Sequence, residues 1–290
     1  MLQPQKLKPG DKVRFVSPAS TPDQAAVQRS SEILKSWGFE VEYGEHAFRK
    51  HGSFAGTDQE RAADLNAALR DPSVRAVFAT RGGRGCYRIA DRMDFDAVRR
   101  DPKLLIGFSE NTILHLMLWK QCRLPGIHGA VFEDKENNNA LHAALTESGD
   151  FTIAARADEP TATMTTRGRA QGRLIGGNLE MIATAAGWAL PELSGAILLV
   201  EGISMRTGQT DRLVTMLRKG GHLAGIVGIA VGQFTNFSSG ALELLRDQLN
   251  ALNVPILGGL PFGHGTSPVS VPVGLETKLD AEAGTLTVAI

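Results

Sequence analysis

The chain has 290 residues, of which 42% are hydrophobic, enough to bury a sizeable core in one large domain or two ordinary ones. Lys plus Arg and Asp plus Glu both number 31, so the formal net charge is zero. That balance, with no block of like charge, speaks against nucleic acid or an anionic membrane as partner and favours a small or mixed-charge ligand.

In chain order, residues 1–6 carry no apolar core of a secretory signal, and no run approaches membrane-spanning length. Two cysteines, Cys86 and Cys122, supply neither a disulfide framework nor zinc spacing. A soluble cytoplasmic protein is expected. Residues 13–16 read as a first strand. Thr21, with Pro22 and Gln24 after it, reads as a capping box opening a helix that stops at Gly38. Residues 39–43 read as a second strand, and 52–56 as a loop with an exposed Phe54. Thr57 and Glu60 form another capping box, opening a helix to Leu69 that Asp71-Pro72 ends. Residues 74–80 are a third strand, running into Arg81-Gly82-Gly83-Arg84-Gly85. A strand at Leu104 and a helix from Ile113 to Trp119 follow. Strands alternating with helices predict a parallel sheet with helices on both faces.

Past His128 the apolar rhythm weakens. Residues 1–135 read as an N-terminal domain, 136–169 as a polar interdomain connection with one short helix and one strand, and 170–290 as a C-terminal domain. In the last, Gly176-Gly177-Asn178 leads into a helix to about Gly187, and 196–200 is a strand ending in Glu201. A helix over 211–219, a strand over 226–231, a helix over 241–252 and a short strand at 255–258 come next. From Val269 onward short strands surround Gly274 and Gly284.

Three residues could carry chemistry. Ser109 stands where the apolar strand before Gly107-Phe108 turns into a helix, which points its hydroxyl past the strand's carboxyl end, as in a nucleophile elbow. Asn111 replaces the second Gly of G-x-S-x-G, and the same serine could instead be a plain helix cap. Glu201 ends a buried strand, where open α/β sheets place ligands, or where a carboxylate merely meets solvent. His264, between Gly263 and Gly265, is a candidate general base with a reference pKa of about 6.5, or an exposed loop histidine. Ser, Glu and His are the residue types of a nucleophile, an orienting acid and a base. The Gly82-Gly83 loop lets backbone N–H groups approach an oxyanion, and matches neither G-x-G-x-x-G nor a P-loop. His115 and His128 read as satisfied core histidines. His46, His51, His142 and His222 show no metal spacing, and Cys86 reads as a small hydrophobe.

The ordered set Ala55-Gly56-Thr57-Asp58, Arg81-Gly82-Gly83-Arg84-Gly85, Ile106-Gly107-Phe108-Ser109, Leu174-Ile175-Gly176-Gly177-Asn178, Leu199-Val200-Glu201 and Pro261-Phe262-Gly263-His264 resembles the serine LD-carboxypeptidase family, which includes the microcin C self-immunity peptidases. The resemblance covers nearly the whole chain. It implies an α/β fold, with a flavodoxin-like parallel-sheet N-terminal domain and a C-terminal swivelling β/α domain, and a homodimer. It implies a triad of Ser109, Glu201 and His264, and an oxyanion hole from the backbone N–H groups of Gly83 and Glu110. It implies cleavage of the amide bond to a terminal D-amino acid in murein tetrapeptides, with no metal and no cofactor. The family has Ser-Asp where this chain has Ser109-Glu110, and residues 202–210 lack the acidic and aromatic flavour of the murein enzymes. Arg81, Arg84 and Arg206 are candidates for the substrate's terminal carboxylate. Two alternatives stay open: an immunity-type peptidase acting on a toxic peptidyl- or aminoacyl-nucleotide, and a non-catalytic nucleotide or peptide binder.

Overall fold

A computed structural model of the chain describes residues 1–238 and 240–290. The strands β1 (Lys12–Val16), β2 (Glu40–Tyr43), β3 (Val74–Ala79), β4 (Leu104–Ile106) and β5 (Gly126–His128) pair in parallel, in the order β2-β1-β3-β4-β5. This is the flavodoxin order. The central strands are almost unbroken apolar runs: β4 and β5 are wholly buried and only Arg75 of β3 is not. Such runs are what a parallel sheet covered on both faces requires. The covering helices are α1 (Gln24–Ser36), α2 (Asp58–Arg70), α3 (Phe95–Arg100), α4 (Thr112–Cys122) and α5 (Lys135–Thr146).

The second sheet holds β6 (Asp150–Ala154), β7 (Arg169–Asn178), β8 (Ala196–Ile203), β9 (Gly228–Thr235) and β10 (Ile256–Leu257), with β12 (Glu276–Asp280) and β13 (Thr285–Ala289). β7 to β10 are parallel; β12, β13 and β6 add an antiparallel meander on β7. The helices α6 (Leu179–Thr184), α7 (Thr207–Lys219) and α8 (Ala241–Asn250) belong to this half. The remaining strand, β11 (Val271–Val273), crosses back and pairs antiparallel with β5 of the first sheet. No helix among the described residues is long and apolar enough to cross a membrane.

Helix α4 explains how the halves are held together. Its run of Ile, Leu, Met and Trp is apolar all round, and a helix of that kind must be buried on every side. It does so by packing on α6 and β7 of the second half. Leu114, Leu116, Leu118, Ile175, Leu179 and Ile182 share one core.

Several boundaries differ from the sequence reading. Helix α1 is capped by Asp23, whose carboxylate accepts from Ala26 N at 3.1 Å, and not by Thr21. The charged cap suits the positive helix end better than a hydroxyl does, and the Thr21 hydroxyl donates instead to Phe54 O at 2.8 Å. Phe54 is half-buried, with the guanidinium groups of Arg61 and Arg88 at 5.2 and 5.3 Å from its ring centroid. Helix α3 was not expected, because six residues give too short an apolar period to read. Helix α7 starts at Thr207, four residues before the expected 211.

His115 on α4 is the satisfied core histidine that was expected: it is buried and its Nε2 bonds Gly107 O at 2.8 Å. Burial pushes its pKa from 6.5 down to about 4, against the pull of backbone carbonyls. The folded form therefore stays neutral where the unfolded chain takes up a proton. His115 stability is fully present above pH 6.5 and is lost as pH falls toward about 4, by about 3 kcal/mol. Denaturant melts across that window should flatten in His115→Gln. An equal slope in both proteins would contradict the assignment.

Candidate active site

The bend after β4 is built around close contacts. A Cβ on Gly107 would stand 2.9 Å from Asn111 Cβ, so only glycine lets the strand pass the turn. Ser109 then adopts φ +62°, a left-handed conformation uncommon for any residue but glycine, and opens a short 3-10 turn (Ser109–Asn111) that continues into α4. Such a conformation costs about 1–3 kcal/mol and persists only where neighbours over-determine it. Asn111 Nδ2 donates to Arg81 O at 3.2 Å and Phe108 O at 3.0 Å. The Glu110 carboxylate turns inward and accepts from Gly85 N at 2.9 Å and Cys86 N at 3.1 Å. Burial raises the Glu110 pKa, and those two amides oppose the rise. The Ser109 hydroxyl does not cap the helix, so the plain cap reading falls away.

The glycine loop is pressed against this bend. A Cβ on Gly82 would stand 2.7 Å from Ser109 Cβ. Gly83 has φ +111°, and a Cβ there would stand 2.4 Å from Ser20 Oγ. Ser20 in turn accepts from Arg84 N at 3.0 Å. The loop's backbone can thus approach the serine only because it lacks side chains. Gly82→Ala should displace Ser109 and lower kcat by about 10²-fold, the scale expected for a 1 Å misplacement of a reacting group. An unchanged kcat would show that the loop does not set the serine's position.

Glu201 and His264 meet from another direction. Glu201 lies in β8 beside a register shift between Val200 and Gly202, and it is 0% exposed, not a solvent-facing strand end. Its Oε2 is 2.6 Å from His264 Nδ1. Gly263, at φ +119°, makes this possible, since a Cβ there would stand 2.8 Å from that same oxygen. The His264 ring is mostly covered and packs on Phe108, centroid to centroid 4.9 Å, beside the serine bend. His264, Ser109, Gly82, Gly83 and Glu110 line one cavity of about 630 Å³. Arg81, Phe132, Asn178 and Glu180 line it too. Arg81 is exposed and donates to Thr21 O at 3.2 Å, whereas Arg84 and Arg206 are exposed outside this lining.

Matches to family models cover most of the chain: the LD-carboxypeptidase N-terminal domain over residues 13–129 and the LD-carboxypeptidase C-terminal domain over residues 171–279. The chain belongs to the LD-carboxypeptidase family. It is a serine-type carboxypeptidase, which sets aside the non-catalytic binder. A Bacillus subtilis protein named a probable murein peptide carboxypeptidase is 30% identical, over 99% of this chain and 94% of its own length. The murein tetrapeptide carboxypeptidase of Pseudomonas aeruginosa is 27% identical, over 93% of each. Among solved structures, the muramoyltetrapeptide carboxypeptidase of Oxalobacter formigenes matches with a TM-score of 0.81 at 28% identity, over 96% of this chain and 99% of that one. The microcin C7 self-immunity protein MccF in complex with aspartyl sulfamoyl adenosine has the same fold, with a TM-score of 0.89 at 23% identity, over 100% of this chain and 99% of that one.

In this member of the LD-carboxypeptidase family, the residue pattern missed several groups at the site. The Glu110 carboxylate ties the far end of the glycine loop to the bend, a role separate from the backbone N–H that the family resemblance implies. Asn178 accepts from Glu180 N and Met181 N, capping α6, while its own N–H donates to Thr112 Oγ1 at 3.0 Å. Cys86 is buried beside them, its thiol pushed well above its ordinary range chiefly by burial, so it is the inert packing group expected.

Proposed function

We propose that this protein hydrolyses the amide bond between an L-configured centre and the terminal D-amino acid of murein-derived tetrapeptides, through Ser109, His264 and Glu201. The observation that carries the reading is the 2.6 Å contact of Glu201 with His264 Nδ1 on the wall of the cavity that also holds the strained Ser109. With Nδ1 committed to the carboxylate, Nε2 is left to take the proton of the serine hydroxyl. The Ser109 oxygen attacks the scissile carbonyl carbon. The oxyanion is held by the N–H groups of Gly83 and Glu110, the latter in the first turn of a helical segment, where backbone N–H groups lack intrahelical partners. His264 protonates the leaving amine, the D-amino acid departs, and water hydrolyses the acyl-enzyme by the reverse proton path.

Arg81, the candidate cation on the cavity wall, holds the terminal carboxylate in this reading. The substrate assignment is supported by the names of the 30% and 27% identical relatives. A second reading, cleavage of an aminoacyl-nucleotide amide, is favoured by residues 202–210, Gly-Ile-Ser-Met-Arg-Thr-Gly-Gln-Thr, which are poor in acidic and aromatic side chains. We further propose a homodimer, the state the family resemblance implies, in the cytoplasm, which the sparse cysteines favour. Incubation with a murein tetrapeptide and, separately, with aspartyl sulfamoyl adenosine, read by mass spectrometry, tests the choice. Release of the terminal D-amino acid is expected. Hydrolysis of the nucleotide conjugate alone would move the assignment to the second reading.

A further inference from the structure

We infer that His128 is a positioning residue of this site, donating its Nε2–H to the second oxygen of Glu201. The inference rests on the triad reading above and extends it by one residue. His128 ends β5 and is 1% exposed; Glu201 is 0% exposed. His128 Nε2 and Glu201 Oε1 face each other at 3.6 Å. Among the described residues neither atom has a hydrogen-bond partner and both are sealed from solvent; His128 Nδ1 is unpartnered too, but it is Nε2 that faces the carboxylate. Buried polar atoms are almost always paired, so a donor and an acceptor left over in one sealed space identify each other. The gap exceeds an ordinary N–H···O bond by less than about 1 Å, within reach of a small side-chain rotation.

The charged and titratable groups around His128 are few. Glu201 faces it from β8, His115 from α4, and His264 from the segment after β10. Phe108, with ring centroids 6.1 Å apart, and Gly177, whose Cβ would stand 3.0 Å from His128 Cε1, complete the enclosure without charge. Burial first, then His115 and His264, lowers the His128 pKa well below its ordinary value. A neutral imidazole carries one N–H, and the carboxylate oxygen selects Nε2 for it. Glu201 then has two donors, one on each oxygen: His264 on Oε2 and His128 on Oε1. His128 makes Glu201 a weaker base than it would be with one donor, so the proton that His264 takes from the serine stays on His264 and does not pass to the carboxylate.

Removing the second donor raises the proton affinity of Glu201 and, through it, of His264. The acid limb of the kcat/KM–pH profile then moves to higher pH. His128→Met removes the donor at similar volume and should shift that limb up by about one pH unit. His128→Gln, whose Nε2–H₂ reproduces the donor, should bring the limb back to within about 0.3 unit of the parent. A role in packing alone would lower kcat without moving the limb. An unshifted limb in a folded His128→Met overturns the inference, while the triad reading survives it and falls instead if Ser109→Ala stays active. Should His128→Met fail to fold, imidazole ¹⁵N spectra of the parent protein decide. A neutral Nε2–H tautomer for His128 across the active pH range is expected; an Nδ1–H tautomer or a charged ring overturns it.

Discussion

Replacing Ser109 with alanine lowers kcat for tetrapeptide hydrolysis by about 10⁴-fold or more and leaves KM near its parent value. In the proposed mechanism the hydroxyl is the atom that forms the acyl bond, and neither the base nor the oxyanion hole can offset its absence. On that mechanism, what should survive is the small rate that binding and the proposed oxyanion donors, the N–H groups of Gly83 and Glu110, give to water attack. The substitution keeps the backbone problem unchanged, because alanine and serine resist the φ of +62° alike. The anchors of the bend also remain, since Asn111 and the Glu110 carboxylate bind loop backbone and not the serine. Stability should therefore shift by less than about 1 kcal/mol. Steady-state release of the D-amino acid, alongside a denaturant melt, checks both halves. Activity within tenfold of the parent would mean that another group is the nucleophile.

Glu201→Gln should be nearly as damaging to catalysis and far less so to folding. The neutral amide keeps the shape but offers His264 no charge to stabilise the imidazolium. It can also present its N–H₂ to Nδ1, which forces the wrong tautomer. A loss of about 10³–10⁴-fold in kcat follows. Folding runs the other way. Glu201 is a carboxylate with no solvent exposure, and its removal relieves a desolvation penalty. The melting temperature should hold or rise while activity collapses. A parallel fall in both would show that Glu201 is a structural ion and not the acid partner of His264.

Much of this site was legible in the residue pattern, and the exceptions have physical reasons. The Thr57 and Glu60 capping box is local chemistry, and both of its hydrogen bonds are present. The bend at Ser109 was readable because an apolar strand met an apolar helix with Gly107 two residues before the serine. Directions of side chains were not readable. Glu110 follows the serine and was considered for its N–H, yet its carboxylate reaches 24 and 25 residues back, a contact no local spacing reveals. His128 had the look of a satisfied core histidine; it is buried as expected, but unlike those of His115 its ring nitrogens have no hydrogen-bond partner among the described residues. The pairing of β11 with β5 joins Val271 to His128 across the chain, so its three residues read only as a short strand near Gly274.

The most direct measurement is intact-protein mass spectrometry after treatment with an alkyl fluorophosphonate, followed by peptide mapping. One phosphonyl adduct per chain is expected, on Ser109, slowed when Glu201 is changed to Gln and abolished in Ser109→Ala. An adduct on a different residue, or equal labelling of Ser109→Ala, would contradict the account.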